Sequence, residues 1–196
     1  RVRKTGFTVA PEAGSERLRQ LINKGISEED LLTTCKDAFS LGWNLIKFYF
    51  MVGLPSETEE DVAAIADLVY KAKSQGRGKG RSVQINVGVG TFVPKPHTPF
   101  QWEEQLNLEA AWQRINMLKR LIPKGAKLKW HDPKQSFLEG VFARGDRRLS
   151  VLIEKAWQKG ARLDSWGEHF HLETWTHAAE SCGIHLEEYI RKRGVT

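Results

Sequence analysis

With 196 residues, 40% of them hydrophobic, the chain can bury a core of domain size, and it has no apolar run of the roughly 18 residues that a bilayer crossing needs, so no membrane span is expected. Net charge is +6, which could attract phosphates, but 24 acidic residues are interspersed among 30 basic ones, so RNA binding is possible but not indicated. Two cysteines imply no disulfide framework, and Arg1-Val2-Arg3-Lys4 is followed by no signal-peptide core, so a cytoplasmic protein whose chain starts upstream of Arg1 is expected.

Residues 7–10 (FTVA) are β-prone, and Pro11-Glu12-Ala13-Gly14-Ser15 breaks them before a helical stretch from Glu16. Gly25 ends that helix, and Ser27-Glu28-Glu29-Asp30 is a capping box for the next, with Leu31, Leu32, Cys35, Ala38 and Phe39 at helical spacing up to Gly42. Residues 44–52 (NLIKFYFMV) are nearly continuously apolar, the pattern of a strand covered on both faces in a parallel sheet. Gly53-Leu54-Pro55 stops it, and the acids of residues 56–61 (SETEED) suit the start of a helix carrying Val62, Ile65, Ala66, Leu68 and Val69. The basic run 71–81 (KAKSQGRGKGR) is glycine-rich and predicts a solvated loop, with an RNA contact as the alternative.

Residues 82–93 (SVQINVGVGTFV) set Val83, Ile85, Val87 and Val89 against Gln84, Asn86, Gly88 and Gly90. In a barrel the valines would pack on helices and the small, polar face would line a cavity. Pro94, Pro96 and Pro99 then interrupt regular structure until a helix over 106–122. Strand, helix, strand, helix, strand predicts right-handed βαβ units, hence an α/β fold with parallel strands. Beyond residue 125 the pattern changes to a short β-like 127–130 and several helices, so the chain divides into an α/β part, 1–125, and an α-rich extension, 126–196.

Three phrases, in order, resemble the second half of the radical S-adenosylmethionine (radical SAM) barrel, in particular the branch of methylthiotransferases and cobalamin-associated enzymes. They are residues 9–15 (VAPEAGS), 50–58 (FMVGLPSET) and 91–101 (TFVPKPHTPFQ). The resemblance implies a partial, half TIM-like barrel followed by the extension. It also implies cofactor-binding roles for Glu12 and Ser15 on the ribose or methionine side of SAM and for Val52 and Gly53 beside adenine. Asn86, Lys95 and His97 would face substrate. A carboxylate suits the first task because it accepts hydrogen bonds from ribose hydroxyls or an ammonium. Glu12 and His97 have plainer alternatives, as a helix-start acid and as a surface residue among prolines, and Glu57 is assigned to the architecture of the strand-to-helix turn.

The family's cluster needs a Cys-x-x-x-Cys-x-x-Cys loop, whose three thiolates leave one iron open to SAM. No such loop is present; Cys35 falls on an amphipathic helix and Cys182 far downstream. The resemblance therefore implies a whole enzyme in which SAM and a [4Fe–4S] cluster, with cobalamin as an option of that branch, generate a 5′-deoxyadenosyl radical. The N-terminal half of the barrel would lie upstream, and this stretch by itself would be inactive. The competing reading is a non-catalytic binding or assembly module, RNA-facing through 71–81. In either case the sheet edge at Phe7 would be free to pair with a second copy.

In the extension, Trp130-His131-Asp132-Pro133 reads as a turn with a capping Asp, or as a substrate-facing group. Arg144, Arg147 and Arg148 read as local ion-pair partners or an anion site. Glu168-His169-Phe170-His171 with His177 has poor spacing for a metal, and Trp166, Phe170, Leu172 and Trp175 around it suggest packing, so no metal site is assigned.

Overall fold

The computed structural model describes residues 6–76 and 82–193, and residues 77–81, half of the basic run, lie outside them. The elements run β1 (Phe7–Glu12), α1 (Glu16–Leu21), α2 (Glu28–Ser40), β2 (Leu45–Val52), α3 (Glu59–Ser74), β3 (Gln84–Thr91), α4 (Leu108–Leu121), β4 (Ala126–Trp130), α5 (Pro133–Ala143), α6 (Leu149–Gln158), α7 (Leu172–Ser181) and α8 (Leu186–Ile190). Among the described residues, no helix is long and apolar enough to cross a membrane.

The four strands form one parallel sheet in the order β1-β2-β3-β4, the α/β architecture that the alternation of elements predicts. β1 extends through Pro11 to Glu12, with an irregular register between Val9 and Glu12. The helix starts are locally encoded. Ser27 with Asp30 closes the capping box of α2, and Thr58 with Asp61 closes that of α3, each satisfying backbone N–H groups left open by the first turn.

Two compact units are present, residues 1–90 with 112–131, and residues 91–111 with 132–196. In the first, Ile46, Phe48, Phe50 and Val52 of β2 and Ile85, Val87 and Val89 of β3 pack on Leu31 and Cys35 of α2, Val62, Ile65 and Leu68 of α3, and Leu118 of α4. The opposite face of β2 is not covered in the same way: Lys47 is half-buried and Tyr49 is 46% exposed. Coverage on both faces, expected from the apolar run, therefore does not hold among the described residues. The single lysine in that run marks the period-2 alternation that the aromatic content hides.

The sheet also extends past residue 125, where the change of pattern suggests a boundary. β4 pairs with β3 in parallel, Asn86 opposite Lys127 and Gly88 opposite Lys129. Its alternating lysines make it look like an isolated surface strand in sequence, although they share a face with the small, polar positions of β3. The second unit is helical, with a core of Phe137, Val141, Leu152, Trp175, Ala178 and Tyr189 drawn from α5 to α8.

Candidate functional site

The carboxyl ends of β1 and β2, and the loops after them, hold four of the expected site residues. Glu12 stands beside Phe50 with φ of 68°, a left-handed conformation that costs energy for a residue with a Cβ. Lys24 Nζ lies 3.4 Å from its carboxylate. Such an outlier at the carboxyl end of a parallel strand sits where α/β proteins place ligand-binding groups.

Ser15 is bound on both sides by the fold. Its Oγ accepts from the Leu18 N–H at 3.2 Å, capping α1, and donates to Asp61. Asp61 also takes the Arg17 guanidinium and, at 2.9 Å, the Thr58 N–H. Burial pushes the Asp61 carboxyl upward, but the bonds from Ser15, Thr58 and Arg17 together hold it below the ordinary carboxylate range. Gly14 completes this joint: a Cβ there would collide with Ile65 N and come within 2.7 Å of Asp61 O.

Val52 has no exposed surface and packs among the helices, so it is a core residue of the sheet. Gly53 has φ of 84°, which glycine adopts at little cost, and its N–H donates to Glu57 Oε1 at 2.8 Å. The Glu57 side chain is 4% exposed with Arg114 Nε 3.5 Å away. Burial pushes its carboxyl up to about 7, against the opposing pull of the Gly53 N–H and the Arg114 charge. Glu57 thus acts as the clasp of the strand-to-helix turn.

The open face of the sheet holds a hollow of about 380 Å³. Asn86, Gly88 and Gly90 of β3 lie at its centre, with Lys47 and Tyr49 of β2 on one side and Lys129, Trp130 and His131 on the other. Asn86 Oδ1 is buried and has no hydrogen-bond partner among the described residues. The other six expected site residues, Glu12, Ser15, Val52, Gly53, Lys95 and His97, are not among its lining residues. Lys95 and His97 belong to the second unit, where Lys95 pairs with Glu139 and the exposed His97, at φ of 62°, donates its backbone N–H to Gln101 Oε1 at 3.2 Å.

Lys47, Tyr49 and Lys129 are lining residues that sequence reasoning passed over. The signal was parity, since each occupies the alternate set of its strand. Asp132, by contrast, caps α5 through the Lys134 N–H at 2.9 Å, with Pro133 in the first turn, as the turn reading had it.

The remaining candidates serve the fold or the surface. The buried Arg144 donates to the carbonyls of Glu103 and Arg191, both at 2.7 Å, and Arg148 pairs with Asp146 at 2.8 Å. Phe170, Leu172 and Trp175 are buried as expected, but Trp166 is 62% exposed, because it lies in the turn-rich stretch before α7. Among the described residues, no group of three or more His, Cys, Asp or Glu is placed to hold a metal. Cys35 is buried, and burial pushes its thiol up to about 12.

Residues 2–69 match the sequence model of the radical SAM superfamily, which supports a place in that superfamily. An uncharacterized protein of Methanocaldococcus jannaschii is 35% identical over 148 residues, 76% of this chain and 32% of that relative. The chain thus spans about a third of the length of the curated relative it matches. No solved structure matches it.

Proposed function

We propose that the chain is the later part of a radical SAM barrel, with the open face of its sheet turned toward the barrel interior, in an enzyme that binds SAM and acts on a separate substrate. The match of residues 2–69 carries this reading. The sheet supports it, with parallel strands, one face packed on helices and the other polar and open around a hollow.

The cofactors fare differently against the residues present. Cluster ligation does not fit: Cys35 is buried in a helix-packed core with its thiol held protonated, Cys182 lies in the other unit, and three converging thiolates are required. A nucleoside fits better. The strained Glu12 offers a carboxylate for hydroxyl or ammonium groups, and Gly53, itself buried, adds no side chain at the end of β2. Ser15 would shape the loop after β1 through Asp61 without contacting the ligand. The role of this chain would be to bind and orient.

The test is made on the longer protein. Anaerobic reconstitution with iron and sulfide, followed by chromatographic detection of 5′-deoxyadenosine from SAM, should show release that depends on reductant. Glu12→Ala should weaken SAM binding. A reconstituted protein that neither binds nor cleaves SAM would remove the proposal.

A further inference from the structure

We infer that the hollow on the open face of the sheet is an oxyanion site, built for a small phosphate- or carboxylate-bearing compound that also carries a hydroxyl or N–H donor. The inference stands on the first unit's geometry and goes beyond the SAM reading.

Charge is the first observation. Lys47, Lys129 and His131 line the hollow and no Asp or Glu does. Neither lysine forms an ion pair with any described residue, whereas Lys24, Lys71, Lys95 and Lys134 all do. Lys127, opposite Asn86 on the same face, is likewise without an ion-pair partner among the described residues. Unneutralised cations converging on a concave surface concentrate anions there.

The second observation is the orphaned amide. Asn86 Oδ1 is buried at the middle of β3 without a hydrogen-bond partner among the described residues. An ordinary solvated strand face would leave that atom to water, but here it is shielded and lacks a donor. A ligand hydroxyl or N–H beside the anion would satisfy it. If the amide is turned the other way, its NH₂ would donate to the anion itself.

The third observation is the floor. Gly88 and Gly90 carry no side chains under the hollow, and a Cβ at Gly88 would come within 2.9 Å of Tyr49 Cδ1 and Cε1. The Tyr49 ring therefore leans over Gly88 and lines the hollow beside the lysines. The volume, about 380 Å³, suits a compound of metabolite size.

The test uses the 196-residue chain with glycerol 3-phosphate and glycerate as probes, followed by titration calorimetry and amide NMR shifts. Saturable one-to-one binding is expected, with shifts at Asn86, Gly88 and Gly90. Binding of glycerol 3-phosphate alone identifies a phosphate compound, and binding of glycerate alone a carboxylate. Lys47→Met and Lys129→Met should each weaken it on the order of tenfold, the size of one lost charge-assisted hydrogen bond. Asn86→Asp, which places a carboxylate in the hollow, should abolish it. Lys155→Met on α6 should change nothing. Absence of saturation with either probe, or equal binding by the wild type and both lysine variants, overturns the inference. Both lysines are on the open face, so unchanged thermal melting shows that lost binding is not lost folding. A longer protein that cleaves SAM while this chain binds neither probe sinks the inference and spares the proposed function; probe binding without SAM cleavage does the reverse.

Discussion

Replacing Glu57 by Gln should abolish a pH dependence that the wild-type fold carries. The folded carboxyl titrates at about 7 because it is buried, while in the unfolded chain it returns to 4.5. Between these values the folded state holds a proton that the unfolded state has lost, so stability is full below 4.5, falls as pH rises, and levels off above about 7. At about 1.4 kcal/mol per pH unit the total loss is roughly 3 kcal/mol. Gln presents an oxygen to the Gly53 N–H and does not ionise, so the variant should lack this slope. Urea titrations of both proteins from pH 4.5 to 8.5 would give the difference curve, and a ¹³C-labelled Glu57 carboxyl would give the midpoint directly. A midpoint at or below the ordinary glutamate value would refute the reasoning, since it would mean that Arg114, 3.5 Å away, outweighs burial.

Other changes probe the joint beneath β1. Gly14→Ala would drive a methyl into the α3 backbone at Ile65 and Asp61, and should cost on the order of 3 kcal/mol or prevent folding of the first unit, read by thermal melting. Asp61→Asn should lower stability by roughly 2 kcal/mol at neutral pH, by weakening the Arg17 pair and the Ser15 and Thr58 bonds together. Because the folded Asp61 titrates below its ordinary value, its contribution should be present above that value and vanish as pH falls through the depressed one. Cys35 should resist alkylation at pH 8 until urea unfolds the first unit, given a thiol pushed up to about 12. β1 is an edge of the described sheet, so the chain should self-associate at high concentration, and light scattering that shows a strict monomer would count against pairing there.

Much of the fold was legible because local chemistry and tertiary packing agree. The residues of the α2 capping box and the apolar spacing of α2 and α3 name their own helices, and the valines of β3 lie where the alternation put them, against the helices. β4 was harder. Ala126-Lys127-Leu128-Lys129-Trp130 has few apolar residues, and its membership of the sheet depends on pairing with β3, a contact across some forty residues that no local pattern encodes. β2 misled in the opposite direction, because Tyr49 and Met51 kept its open face apolar enough to look buried. Glu12 stands out in the sequence by its place in a motif, but its left-handed backbone is set by how β1 ends, which spacing does not report.

The site residues divide along the same physical line. Ser15 and Glu57 fall within motif phrases, yet their polar atoms are already bonded, to Asp61 and Leu18 in one case and to Gly53 and Arg114 in the other. A polar group that the fold has satisfied has less to offer a ligand than one it has left open. By that measure Asn86, Lys47 and Lys129 are better placed to meet a ligand than the motif residues beside them, since their partners within the described chain are missing. The phrases mark where turns must be built, and the open alternate positions of the adjoining strands mark where chemistry can enter. A binding experiment that perturbs Ser15 and Lys129 in parallel would separate the two roles: loss of stability from the first, and loss of ligand from the second.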